Sequence, residues 1–406
     1  MRFDLHLRQD LKEQILHLAD QMKEWEESPR LEKRDREAIL RRITAFEHTT
    51  RVHSLTVAGV DGSGDYPSLA YADSFVHVAV AQATIYQSDV DCGLRELPPK
   101  TRSVLYVAWF AEHEDQRREA WDRAFTALAG EEIDSVLQKS DYASIKAGIT
   151  HKNVSFSRLR ELLVRPHASD SGNIAIQLRS LGELGSALRT LKCTNNLRYL
   201  LVDGTLSLPF ASTRDESLFH EHLKRFCCVE ARSQGVGFFA LSKSHGFPSI
   251  ELLEEIARDS LGAEGRQRDE HWFIRLPVPG FDNWNFPLAE GRQIPPPGAV
   301  TYLVRFHRNV PVLRLDMDIE FWRARVHRET NEETRDNERR IFQDLDYACH
   351  DQRCFGYPYP IKAGHDRASL TAPERSALRK QIINAAVAAG LRRSLFRDAS
   401  MATGHK

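Results

Sequence analysis

Apolar positions follow two rhythms along the chain. In 9–27, Leu11, Ile15, Leu18, Met22 and Trp25 recur at helical spacing, and after Ser28-Pro29 the stretch 32–47 repeats the pattern with Leu40, Ile43 and Phe46. Two N-terminal helices are predicted, a packing or dimer arm. Solid or alternating apolar runs then take over at 54–61, at 75–87 with its FVHVAVAQATIY, and at 102–110. They predict a three-stranded meander. The region from about 112 to 191 reads as mainly helical, followed by a strand ending at Asp203, a helix over 216–233, a strand over 237–243 and a helix near 250–260. Strand–helix–strand order predicts parallel pairing. Residues 277–297 carry too many prolines for a regular element and form either a connector or a substrate-facing insertion. Strands near 299–306 and 310–316 precede a strongly charged helix from 321 to about 347. The last helix opens at Thr371-Ala372-Pro373-Glu374, a capping box with proline in its first turn.

Two of the apolar runs share a design about 140 residues apart: VAGVDGSG delivers Asp61 and YLLVDGTL delivers Asp203, each followed at once by glycine. Continuous runs of this kind read as strands buried on both faces, which would place each aspartate where its strand leaves the sheet. Ligands of open α/β sheets gather outside the carboxyl ends of strands, and Gly62 and Gly204 would let an anion approach the backbone. Paired carboxylates with room for phosphate suggest a site for Mg²⁺ or Mn²⁺, which prefer oxygen ligands. An Asp-Gly pair is also an ordinary turn signal.

A third segment, CFGYPYPIKAGHDRA from Cys354 to Ala368, sets Tyr357 eight residues before His365. With DGS after a first strand and DGxL after a later one, it resembles the NurA family of nucleases, partners of the HerA translocase, over about residues 50–370. The resemblance implies an RNase H-like mixed sheet flanked by helices, so that with the terminal helices read above the expected chain is α/β with an N-terminal helical arm and a C-terminal helix. The chain is then expected to divide into an arm over 1–50, a nuclease domain over 51–370 with a loop-rich insertion at about 260–297, and a C-terminal helix and tail over 371–406. It implies a metal-dependent active site of Asp61, Glu183 (in QLRSLGELGSAL), Asp203, Tyr357 and His365, with the three acids and His365 as ligands of Mn²⁺ or Mg²⁺. Lys243, in GFFALSKS, corresponds to a lysine that could contact DNA phosphate or merely end a strand. The family's alanine before the histidine is Gly364 here. The implied partners are DNA, a HerA-type hexameric ATPase and a second copy of the chain.

Composition narrows the function classes. The chain of 406 residues is 41% hydrophobic, long enough for one large domain or two ordinary ones, and has no apolar run of membrane-spanning length. Its start, MRFDLHLRQDLKEQ, is broken by acids and is unlike a signal peptide, so the expected compartment is the cytoplasm. The six cysteines include no CxxC pair, which argues against a zinc ribbon or redox motif; Cys349, His350 and Cys354 do lie close together. A net charge of −1 means that DNA binding must rest on local charge, with the Arg41–Arg42 pair and the arginines of 375–397 either binding surface or solvated face. The chain lacks GxxxxGK[ST], so movement on DNA would need another protein. Two alternatives remain: an adaptor of a HerA-type translocase with a silent site, and an actin-like ATP-binding phosphotransferase. The latter has no second glycine-rich adenosine motif and leaves Tyr357 and His365 unexplained.

Overall fold

The structure is a computed structural model that describes residues 5–25, 31–48, 54–110 apart from 73 and 92, 114–146, 171–207, 216–262 apart from 246 and 248, 271–289 and 298–397. The predicted meander is present. Strand β2 (Thr56–Tyr71) pairs antiparallel with β3 (Ser74–Asp89), and β3 is long enough to serve two partners end to end, β4 (Gly93–Leu97) and β5 (Val104–Phe110). On the other side of β2 lies β6 (Tyr199–Asp203), parallel to it, and then β7 (Gly237–Ser242), parallel to β6. An antiparallel wing continues through β10 (Leu313–Asp318), β9 (Ala299–Arg305) and β8 (Trp272–Arg275) to β1 (Thr44–Ala45). Near the C-terminus β13 (Phe396–Arg397) pairs with the far end of β2. The central order β5-β3-β2-β6-β7, three antiparallel strands followed by two parallel ones, is the RNase H-like arrangement.

Helices cover both faces because the central strands are apolar on both. Ala58, Val60, Leu200 and Val202 face a core shared with α3 (Glu114–Ala129), α4 (Ile133–Lys139), α6 (Ser171–Cys193) and α7 (Glu216–Ser233). A short helix, α5 (Tyr142–Lys146), lies between α4 and α6. The alternate residues Val57, Tyr199 and Leu201 face a second core with Phe342 and Leu345 of α9 (Asn331–Cys349) and Ile361 of α10 (Tyr359–Ala368). Gly59 allows this second packing, because a Cβ there would overlap the backbone of Pro360 and Ile361. Helix α8 (Ile250–Gly262) and α2 (Lys33–Leu40) close a third cluster around Trp272 and Leu303. Helix α11 (Ala372–Ala388) begins with the expected capping box, Thr371 Oγ1 accepting from Glu374 N while the Glu374 carboxylate accepts from Thr371 N.

Several expectations need correction. Asp61 does not end its strand: β2 runs ten residues further because β3 keeps pairing with it as far as Tyr71. The helix expected over 32–47 stops at Leu40, since Thr44 and Ala45 join the sheet beside β8 and Phe46 enters a cluster of Phe273, Phe306 and Phe342. The charged helix over 321–347 is two pieces. A helical turn over 319–326 buries Trp322, and α9 restarts where Thr330 caps Glu333 N. Helix α1 (Leu5–Trp25) forms as predicted, with Leu11, Ile15, Leu18 and Met22 exposed in the single chain.

Candidate active site

The register Val57↔Tyr199 through Val60↔Val202 brings β2 and β6 to their next residues together, so Asp61 and Asp203 stand side by side on one face of the sheet. There β6 ends while β2 continues, leaving a notch at the end of β6. The chain leaves β6 through Gly204, whose positive φ of 130° suits glycine and whose amide donates to Leu241 O. The exit loop is pinned by Asp316 of β10, which accepts from Leu206 N at 3.0 Å and Ser207 N at 3.1 Å. Asp61 is buried and accepts from its own neighbour, Gly62 N, at 2.7 Å. Asp203 stays exposed.

Glu183 approaches from the other face. It sits mid-way along α6, and a Cβ on Gly62 would stand 2.7 Å from its Cγ and Oε1, so the glycine after Asp61 makes room for this carboxylate. Burial pushes Glu183 up to about 8, with the charges of Asp61 and Asp203 adding to the rise against Arg179 and the Gly62 amide. Asp203 is also raised, by desolvation and by Asp61, against Lys243, Arg179 and His365. Arg179, one helical turn before Glu183 with its Nε 3.4 Å from Oε1, was missed in the sequence, although its i−4 spacing from an acid was the available signal.

Helix α10 brings the C-terminal motif to the sheet face that carries the aspartates. His365 places Nδ1 3.0 Å from Asp61 Oδ2, leaving Nε2 near Ser369 Oγ at 3.4 Å. Tyr357 is buried, and its hydroxyl has no hydrogen-bond partner among the described residues. Desolvation and the charges of Asp203 and Asp61 push that phenol well above its ordinary value, so it remains a proton donor. The Lys243 ammonium lies 4.0 Å from the Tyr357 ring centroid, a cation–π contact at the end of β7. Gly364 tolerates this packing closely, because a Cβ there would stand 3.2 Å from Asp61 N and from Gln82 O.

All six residues singled out in the sequence therefore come to one seam, from five separate stretches of chain. Among the described residues, no three ligand atoms of the acids and His365 lie within 4.8 Å of one another, so the set is open. Glu183 and Asp203, raised by burial and by their acidic neighbours, stand beside an unpartnered phenol. That donor set suits a hard oxygen-seeking dication and a phosphate.

No protein-family model and no curated protein matches the chain. Among solved structures it is similar over nearly its whole length to NurA nucleases. The NurA nuclease from Sulfolobus solfataricus aligns with 94% of this chain and 96% of its own at 14% identity and a TM-score of 0.45. NurA bound to dAMP and manganese aligns with 96% of this chain and 98% of its own at 12% identity and a TM-score of 0.39.

Proposed function

We propose that the chain is a metal-dependent deoxyribonuclease whose active site is the β2–β6 seam. The observation that carries this reading is the in-register pair Asp61 and Asp203 with Glu183 seated against Gly62, three carboxylates drawn to one seam, two of them raised by burial and by their acidic neighbours. Asp61, Glu183 and Asp203 would hold Mn²⁺ or Mg²⁺, with His365 as a further ligand or proton carrier. When bound, such ions neutralise charge developing on the attacking and leaving oxygens of a phosphodiester.

The chain's own groups divide the remaining tasks. Glu183, kept protonated near neutrality by burial and its acidic neighbours, releases that proton as positive charge enters the seam. Asp61 orients His365 through Nδ1, which leaves the Nε2 lone pair to take a proton from water or return it to the departing oxygen. The Tyr357 hydroxyl donates to a phosphate oxygen, and Lys243 beside it supports the same charge.

The site resemblance extends the proposal to the partners. The chain would process DNA ends with a HerA-type hexameric ATPase, in repair or antiviral defence in the cytoplasm. No helix among the described residues is long and apolar enough to cross a membrane. The exposed apolar stripe of α1 supports self-association. Cleavage of linear and circular DNA by wild type and Asp203→Asn, in Mn²⁺, Mg²⁺ or EDTA and with or without a cognate ATPase, tests the reading. Metal-dependent cleavage lost in the variant is expected; no cleavage in any condition would favour the adaptor, and ATP binding the phosphotransferase.

A further inference from the structure

At the far wing of the sheet a second set of side chains converges on one buried carboxylate, that of Asp346 near the end of α9. His48, just after β1, places Nδ1 2.7 Å from Asp346 Oδ2. His271, just before β8, and His350, which opens β11 (His350–Asp351), each place Nδ1 3.2 Å from Oδ1. The His48 and His350 ring centroids are 4.1 Å apart and those of His271 and His350 5.3 Å. The ligand atoms of His48, Asp346 and His350 all lie within 4.8 Å of one another.

From these positions we propose a structural zinc site formed by His48, Asp346 and His350, with His271 beside them on the same carboxylate, separate from the acidic seam. Tetrahedral zinc, with bonds of about 2.0–2.2 Å to nitrogen and oxygen, needs ligand atoms roughly 3.3–3.5 Å apart; the His350–Asp346 spacing of 3.2 Å is close to this, and the 2.7 Å His48 contact would open slightly on binding. The hydrogen-bonded arrangement is then the metal-free form, and binding would displace the Nδ1 protons. An imidazole-rich set selects zinc-like transition dications over Mg²⁺, the reverse of the preference of the seam. His48 is the way in: its side chain is 38% exposed, against none for Asp346. The site would tie together segments 298 positions apart, closing a long loop of the unfolded chain. It also sits on the path to the seam. β11 turns into β12 (Cys354–Phe355), Gly356 N donates to Cys349 O at 2.7 Å, and Tyr357 follows.

The decisive experiment uses the full chain as Asp61→Asn/Asp203→Asn, which silences the seam, titrated with Co²⁺ and then Zn²⁺ while absorption and thermal melting are followed. One equivalent of Co²⁺ with intense four-coordinate bands, displaced by Zn²⁺, is expected, together with a melting temperature raised by Zn²⁺ and not by Mg²⁺. Adding His48→Ala should weaken binding by more than the roughly 10- to 100-fold that loss of even an outer-shell partner costs. Adding His350→Ala as well should abolish it; if that variant does not fold, His48→Ala alone decides. Absence of the bands and of the zinc-dependent melting shift in the parent, or unchanged affinity in His48→Ala, would overturn the site.

Discussion

The seam and the ion-pair network behind it treat the same chemical group in opposite ways. Beneath α7, Asp141 and Asp318 meet Arg225 and Arg232. Arg225 donates to Asp141 at 2.7 and 2.8 Å and reaches Asp318 at 2.8 Å, while Arg232 donates to Asp141 at 2.6 Å and to Asp318 at 2.5 Å. Two acids face two guanidiniums, and Asp141 is held below its ordinary value by hydrogen bonds from Arg225 and Arg232 that outweigh its burial. In the seam, among the described residues, the one close ion pair to a fixed cation is Arg179–Glu183 at 3.4 Å, and despite Arg179, Lys243 and His365 nearby, burial and the neighbouring acids leave Glu183 and Asp203 raised. A buried acid with its own cation is part of the scaffold. A group of acids still raised beside the cations it has is a place for an ion to bind.

The widest gap between the two regions should appear in activity. Asp61→Asn or Asp203→Asn should lower DNA cleavage by about 10³-fold or more, some 4 kcal/mol of barrier, with no loss of melting temperature, because each relieves repulsion. A melting temperature that fell along with the activity would erase the contrast. Arg225→Met should do the reverse, costing about 3–5 kcal/mol in urea unfolding by leaving buried Asp318 and half-buried Asp141 short of a partner. Little change there would mean that the network is as tolerant as the seam.

The pH dependence sharpens the comparison further. Glu183 titrates near 8 when folded and near 4.5 when unfolded, so between those values the folded chain holds a proton that the unfolded chain has lost. Stability contributed by this group is therefore present below about pH 4.5 and declines up to about pH 8, by at most about 1.4 kcal/mol per pH unit. The stabilisation gained from Mn²⁺ should grow across the same window, and Glu183→Gln should flatten both trends in thermal melts. Parallel curves for wild type and Glu183→Gln would show that the crowding has no energetic weight. The smallest effect is expected at Tyr357. Tyr357→Phe removes an unpartnered buried hydroxyl and should leave stability within about 1 kcal/mol while cleavage falls roughly tenfold. Equal cleavage by the two proteins would take the phenol out of the site.

What could be read from the sequence followed the range of each signal. Asp203 was legible because its strand ends with it, and the parallel pairing because strand and helix alternate. Asp61 was misplaced as a strand end because an Asp-Gly pair carries a local turn signal, whereas the strand continues by pairing with β3, a partner the local pattern does not display. Helix α2 was overextended because Ile43 and Phe46 keep helical spacing while their burial is decided by β8 and a distant aromatic cluster. Glu183 came from family resemblance, since a glutamate on a helix has no local mark of function. His48, His271 and Asp346 were invisible as a set, being drawn together only when the sheet wing folds.

The unequal lengths of β2 and β6 have a consequence for how this chain can vary. The notch is cut by where one strand stops against a neighbour that does not, so its width is a matter of register and not of loop length. One residue inserted into β6 ahead of Asp203 would turn the carboxylate through to the α6 face, leaving Asp61 alone with His365. A loop change leaves that register untouched, whereas β6 can change only by whole pleats.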